Sequence, residues 1–446
     1  MKKNSPKILI KNAVLATFDR DEKPQRGDIL IEGSDIRQIG TSLPEENAEV
    51  VDASGLVAMP GFVQTHIHLC QTLFRNLAND LELLDWLRQR IWPLEAAHNR
   101  ASLAISARLG LLELIKSGTT AILDMGSVRD TDIILQEVAN SGLRASVGVT
   151  FMDGGEGVPQ ELSRPAAESI FYFKQLFPVW HGKKNGRIQL NLAPRFALSC
   201  SENVLQDIAG LAKEYDLLIH THASENRKEV AFIREMYGLG NVAYYHKLGL
   251  TGKNLCLAHC IWLDDEEVDI LAATGSNVLH CPSSNLKLAS GIADIPRFLD
   301  SGINCSLGAD GAPCNNNLNI FWEMRLAGLI QKPIHGPDAM PAKKIIEMAT
   351  VNGGRTLQLS GRIGSLQIGK KADIILIDLN SVHTVPGDNL YTQLVYAANQ
   401  ENIHSVFIDG KPVMRNRKVL TINEKETLRR ANEEYEGLLR RANIQT

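Results

Sequence analysis

The sequence predicts an α/β chain: a (β/α)8 barrel carrying a small β-sandwich domain built from both chain ends. Three observations predict it. Eight short apolar runs, each followed by a stretch of helical periodicity, succeed one another between residues 61 and 366. Alternating β texture precedes that region and returns after it. Histidines and an aspartate end several of the eight runs, at the rim where barrel active sites are built.

In chain order, Ile8-Leu9-Ile10, Ile29-Leu30-Ile31 and Val50-Val51 are short strands broken by Gly, Pro and Asp. The eight barrel runs follow at 61–68, 119–125, 144–151, 188–195, 217–222, 254–259, 276–281 and 303–310. Helical periodicity marks stretches between them, among them 80–116, 203–215 and 264–273. Strand texture resumes at 372–377 and 405–410, and the charged amphipathic stretch 423–444 reads as a surface helix. The expected division is 1–59 and 367–446 for the β-sandwich domain and C-terminal helix, with 60–366 for the barrel.

A chain of 446 residues buries enough surface to fold without disulfide staples. With 47 Lys and Arg against 51 Asp and Glu, it has no electrostatic footprint for nucleic acid. No run reaches the ~18 apolar residues of a membrane helix. The first apolar run, Ile8-Leu9-Ile10, is too short for a signal-peptide core. Seven cysteines, an odd number, read as reduced thiols, and the expected compartment is the cytoplasm. Cys256, His259 and Cys260 lack CxxC spacing, so the two thiols read as buried groups beside a strand.

The chemistry sits at the strand ends. The first barrel strand ends Thr65-His66-Ile67-His68, and side chains at i and i+2 share one face. The fifth ends His220-Thr221-His222, with Glu225 three residues on; the sixth ends at His259, the seventh at His280, the eighth at Asp310. An HxH pair alone is weak, and an Asp before Gly is usually a turn residue. Their joint placement on one rim is what points to a metal. Three imidazoles, His66, His68 and His222, with the Asp310 carboxylate suit Zn2+ first and Fe2+ second, leaving a position for water. One divalent metal per chain is expected, because the fourth strand ends Pro194-Arg195-Phe196, with no bridging carboxylate or lysine. Glu225 is placed to move the water proton, and His259 to orient that water. The cytidine-deaminase HxE and PCxxC pair is absent, as are GxxxxGK[ST], HExxH and GxSxG.

These stretches resemble the amidohydrolase superfamily. Pro60-Gly61 through His68 is similar to its PGxxxxHxH entry, His222 to Glu225 to its HxxE, the segments around His259, 280–288 and 307–313 to the family's strands six to eight, and 364–373 to the segment that re-enters its small β domain. The resemblance implies His66, His68, His222 and Asp310 as metal ligands, and Glu225, His259 and Asp310 in proton transfer. Within the superfamily, 80–95 and Asn315-Asn316-Asn317-Leu318 resemble the deaminases of 5'-deoxyadenosine, methylthioadenosine and S-adenosylhomocysteine. That implies Trp86 against the nucleoside, Glu95 on the ribose hydroxyls, and His280 and Asn285 as further substrate contacts. Arg195, where many such deaminases carry histidine, resembles guanine deaminases and offers a donor fork to a purine. Guanine deamination or s-triazine amino- or chlorohydrolysis is the alternative, with a non-catalytic assembly protein behind it. The implied partners are a small nucleoside and further copies of the chain, with neither nucleic acid nor membrane.

Overall fold

The computed structural model describes residues 6–19 and 23–444. The chain opens with β1 (Lys7–Leu15), β2 (Gln25–Glu32), β3 (Asp35–Gly40), β4 (Glu49–Asp52) and β5 (Leu56–Pro60). Asn12, with φ of 63°, interrupts β1. Before it Ile8–Lys11 pair with β4, and after it Val14 and Leu15 pair with β5. One strand thus feeds two partners along one edge, and the sheet forks there.

At Gly61 the chain passes into the barrel. β6 (Phe62–Ile67), β7 (Thr119–Ser127), β8 (Arg144–Phe151), β9 (Ile188–Pro194), β10 (Ile219–Ala223), β11 (Leu255–His259), β12 (Asn277–His280) and β13 (Asn304–Leu307) lie side by side in chain order. They fall on the eight apolar runs, and all pair in parallel. Strands covered on both faces read as continuous apolar runs, which is why alternation is weak here. The ring closes where the Asp310 N–H donates to the His66 carbonyl at 2.9 Å. Behind that point, the Thr65 and Ser306 hydroxyls meet at 2.9 Å.

Gly308 makes the closure possible. A Cβ there would stand 2.7 Å from the His66 backbone nitrogen and oxygen and 2.8 Å from its Cβ. Gly308→Ala therefore forces the first and last strands apart at a candidate ligand. We expect a loss of about 1–3 kcal/mol in stability, read by urea denaturation, together with weaker metal binding.

The second half of the small sheet comes from the chain's end: β14 (Ile374–Asp378), β15 (Ile403–Ile408), β16 (Lys411–Arg415) and β17 (Lys418–Val419). β14 pairs antiparallel with β5, joining both chain ends into one nine-stranded mixed sheet. Strand alternation sorts its side chains. Ile374 and Leu376 pack with Ile8, Ile10, Ile29 and Ile31, whereas Ile375 and Ile377 join the core shared with the barrel. Across that junction the buried Arg144 guanidinium donates to Asp373 (Nε to Oδ2, 2.8 Å) and to Asp409 (3.4 Å).

One helical expectation is corrected. The stretch 80–116 is not one helix. A short helix at Leu83–Trp86, a π turn at Leu87–Ile91 and a helix at Trp92–Ala96 precede a separate helix, Arg100–Lys116. Asn99 and Ser102 form a capping box that starts the last of these afresh. The C-terminal helix Glu424–Ala442 lies on the surface as expected, and docks on the barrel. Lys116 pairs with Glu424 at 2.7 Å, and Arg441 donates to the Ala97 carbonyl at 2.8 Å. All seven cysteines are free and buried. No helix among the described residues is long and apolar enough to cross a membrane.

Candidate active site

Alternation along β6 puts His66 and His68 on one face, and the closing strand brings Asp310 to them. Asp310 Oδ1 stands 3.2 Å from His66 Nε2 and 3.3 Å from His68 Nε2. His222 at the end of β10 has its ring centroid 4.8 Å from that of His66. His259 ends β11 in left-handed backbone, φ 73°, and Asp310 is left-handed too, φ 63°. Such conformations cost of order 1–3 kcal/mol each in non-glycine residues and cluster at functional sites.

Three of the four rings are held from behind. His222 Nδ1 donates to the Arg195 carbonyl at 2.6 Å, and His259 Nδ1 to Asn285 Oδ1 at 2.8 Å. His66 Nδ1 meets His220 Nε2 at 2.7 Å. Asp310 accepts from the Ser284 hydroxyl and the Gly311 N–H, both at 2.7 Å.

Burial sets the charges. It pushes His68 and His222 well below the usual histidine range and His259 down to about 4, so these imidazoles are neutral, the form that binds metals. Burial opposes the charge on Asp310, but His66, His68 and His259 outweigh it and hold the carboxyl well below its usual range. Glu225 goes the other way. Burial first, then Asp310 and Glu229, push its carboxyl well above the usual range. Its Oε2 lies 3.4 Å from His259 Nε2.

The donor set fits a divalent metal. His66 Nε2 is buried without a hydrogen-bond partner. Ligand atoms of His66, His68 and Asp310, and again of His66, His222 and His259, lie within 4.8 Å of one another. Ligand atoms 2.0–2.2 Å from a tetrahedral ion stand roughly 3.3 Å apart, which is the spacing of Asp310 from His66 and His68. The cluster opens onto a cleft of about 420 Å³ that Glu225 also lines, walled by Leu83, Trp86, Leu87, Phe196 and Leu288.

The amidohydrolase family model matches residues 57–413. The chain belongs to the amidohydrolase family. This amidohydrolase is 38 % identical to the 5'-deoxyadenosine deaminase of Methanobrevibacter smithii, over 97 % of the chain and 98 % of the relative. It is also 38 % identical to the 5-methylthioadenosine/S-adenosylhomocysteine deaminase of Desulforudis audaxviator, over 95 % and 97 %. Among solved structures it is similar to an adenosine deaminase from Xanthomonas campestris with bound zinc. That match has a TM-score of 0.91 and 28 % identity, and covers 98 % of the chain and 99 % of the neighbour.

The amidohydrolase fold thus brings His66, His68, His222, Glu225, His259 and Asp310 together, and sets Trp86 and Arg195 on the cleft wall. Glu95, His280 and Asn285 do not line that cleft. Glu95 is taken up by the protein: Arg195 donates to Oε2 at 2.5 Å and Gln71 to Oε1 at 2.7 Å. It faces a second cavity of about 450 Å³ that shares Arg195 with the cleft. Asn285 sits behind His259, and its place in the site is to hold that ring. His280 is fully buried with neither ring nitrogen bonded. His220 was not among the expected site residues, yet it backs His66. The signal was present, since His220-Thr221-His222 repeats the i, i+2 pattern of His66 and His68.

Proposed function

We propose that this amidohydrolase is a metal-dependent hydrolytic deaminase of adenosine-type nucleosides. It converts 5'-deoxyadenosine, 5'-methylthioadenosine or S-adenosylhomocysteine to the inosine-type product and ammonia. The observation that carries the reading is a buried acid, Glu225, opening onto the same cleft as His68, His222, His259 and Asp310. The names of the two deaminase relatives supply the substrate class.

The proposed ion is Zn2+, one per chain, held by His66, His68, His222 and Asp310. The nitrogen-rich donor set and the zinc in the Xanthomonas neighbour support it. Arg195, paired to Glu95, occupies the strand end from which a second metal would need a bridging ligand. When bound, such an ion lowers the pKa of a water towards neutrality and makes it a nucleophile.

The protein supplies the rest. Glu225, its pKa raised by burial and by the Asp310 and Glu229 carboxyls, gives a proton to ring N1 and makes the amine-bearing carbon electrophilic. Water attacks that carbon while Asp310 accepts a water proton. His259, neutral and fixed by Asn285, orients the water through Nε2. The C–N bond breaks as Asp310 passes the water proton to the amine, the proton of the new hydroxyl returns to Glu225, and ammonia leaves. Trp86 offers an indole face to the base.

The test is ammonia release on protein of measured metal content. The three adenosine-type nucleosides should react, and guanine and melamine should not. Turnover confined to guanine or to a triazine overturns the reading. Chelation should abolish turnover, and one equivalent of Zn2+ per chain should restore it; a requirement for two rules out the single-metal site.

A further inference from the structure

Glu225 lies in the turn between β10 and the helix Arg227–Tyr237. Its carboxyl faces the cleft, so the backbone of that turn decides where the carboxyl stands. Ser224, just before it, is left-handed, with φ of 52°. The next two N–H groups, of Glu225 and Asn226, fall outside both the strand ladder and the helix, and buried donors need acceptors. Both go to one atom. Glu229 Oε2 accepts the Glu225 N–H at 2.8 Å and the Asn226 N–H at 3.3 Å. The Asn226 contact is an ordinary capping box, in which the third helical residue reaches back to the N-cap. The Glu225 contact is not part of that box. It is the shorter of the two, and it reaches past the cap to the acid itself.

We propose that Glu229 is a positioning residue for the reaction: its carboxylate clamps the backbone N–H of Glu225 and so fixes where the acid meets the substrate ring. Glu229 is itself held. It is 1 % exposed, and its Oε1 accepts the side-chain amide of the fully buried Asn241 at 2.6 Å. Asn241 opens the helix Asn241–Lys247, which is tied in turn to Glu267, whose Oε1 accepts the Val242 N–H at 2.8 Å. The clamp on the acid is therefore anchored to a second element and does not rest on its own helix alone. Glu229 also lines the cleft. Both of its oxygens are occupied by protein donors, so it is fitted to act through Glu225 rather than on a substrate. Proton transfer to a ring nitrogen needs the acid in place to within a fraction of an ångström, so a slack turn costs rate even where the acid survives.

The inference rests on the role proposed above for Glu225, and one arm of its test reads the clamp without the reaction. Glu229→Leu removes the acceptor and keeps the bulk. Glu229→Gln keeps an oxygen for the two N–H groups, and its NH2 then faces Asn241, whose Oδ1 has no partner and accepts once that amide turns over. In Glu229→Leu kcat should fall about 10–100-fold, the scale of a small misplacement of a reacting group, with KM little changed. Glu229→Gln should recover most of that loss. Amide hydrogen exchange at Glu225 should quicken in Glu229→Leu and stay slow in Glu229→Gln. In a Glu225→Gln background most of the effect of Glu229→Leu should vanish, because residues that act through one another are not additive. Metal analysis and urea denaturation of the same samples identify any variant that has simply lost its site or its fold. Unaltered kcat in folded Glu229→Leu, unchanged exchange at Glu225, or a loss that multiplies in full onto Glu225→Gln overturns the proposal. If Glu225→Gln alone turns over normally while exchange still reports the clamp, it is the role of Glu225 that fails, and the proposal with it.

Discussion

Glu225→Gln should lower kcat by about 10²–10⁴-fold, the usual worth of a general acid–base group, while metal content and fold stay as they were. The amide is nearly isosteric and can still donate to a ring nitrogen, but it cannot surrender a proton. The acid is poised by its surroundings. Burial, then the Asp310 and Glu229 carboxyls, raise its pKa well above the usual glutamate range. The Glu225 N–H itself donates to Glu229 Oε2 at 2.8 Å, so the backbone that carries the acid is anchored independently of its side chain. The sign of the pH effect follows. A group that works protonated loses effect as pH rises through its raised pKa, so the alkaline limb of the unaltered enzyme should vanish in Glu225→Gln. Steady-state kinetics across pH, alongside metal analysis, reads both outcomes. Turnover near that of the unaltered chain would remove Glu225 from the mechanism.

Arg144→Met should cost about 3–5 kcal/mol of stability, the penalty for stranding buried charge. Arg144 is 1 % exposed, and its guanidinium stands against Asp373 and Asp409 across the junction of barrel and sheet. Asp373 Oδ1 also accepts the Asp409 N–H at 2.8 Å, so one cation ties two loops of the small sheet to the start of β8. Without it two carboxylates share a dry site. Arg144→Lys should recover little, since a single ammonium cannot reproduce the fork that spans both acids. Arg100 is the control. It pairs with Asp130 and Asp132 at 2.6 Å each, but its side chain is 56 % exposed. Arg100→Ala should cost at most about 1 kcal/mol. Denaturant midpoints of the three variants decide it; equal effects at Arg100 and Arg144 would contradict the argument.

The barrel was legible in the sequence because its signal is local. Each strand is a short apolar run, and the order of runs is the order of neighbours in the sheet. The group His66, His68, His222 and Asp310 was legible for the same reason, since strand ends in a barrel converge whatever the details of packing. What escaped the sequence depends on partners distant in the chain. Glu95 and Arg195, 100 positions apart, neutralise one another, and nothing local at either residue announces that pairing. Asn285 reads equally well as a substrate contact or as a ring support until His259 is seen beside it. The stretch 80–116 keeps its periodicity across breaks that only the π turn and the Asn99 cap reveal. The docking of the C-terminal helix turned on Lys116 and Ala97, far from it in sequence.

The seam between β6 and β13 also bears on the order in which the molecule assembles. Thr65 and Ser306, which meet across it, are 241 positions apart, and His66 and Asp310 sit beside them. The cluster therefore exists only after the last strand has reached the first. A growing chain, or a partly folded one with its ring still open, carries His66 and His68 without their carboxylate. Contacts of such long range form late and slowly. Metal should accordingly have little hold on early folding intermediates and a strong hold on the closed ring, acting as a brake on unfolding by favouring the one state in which its ligands coincide.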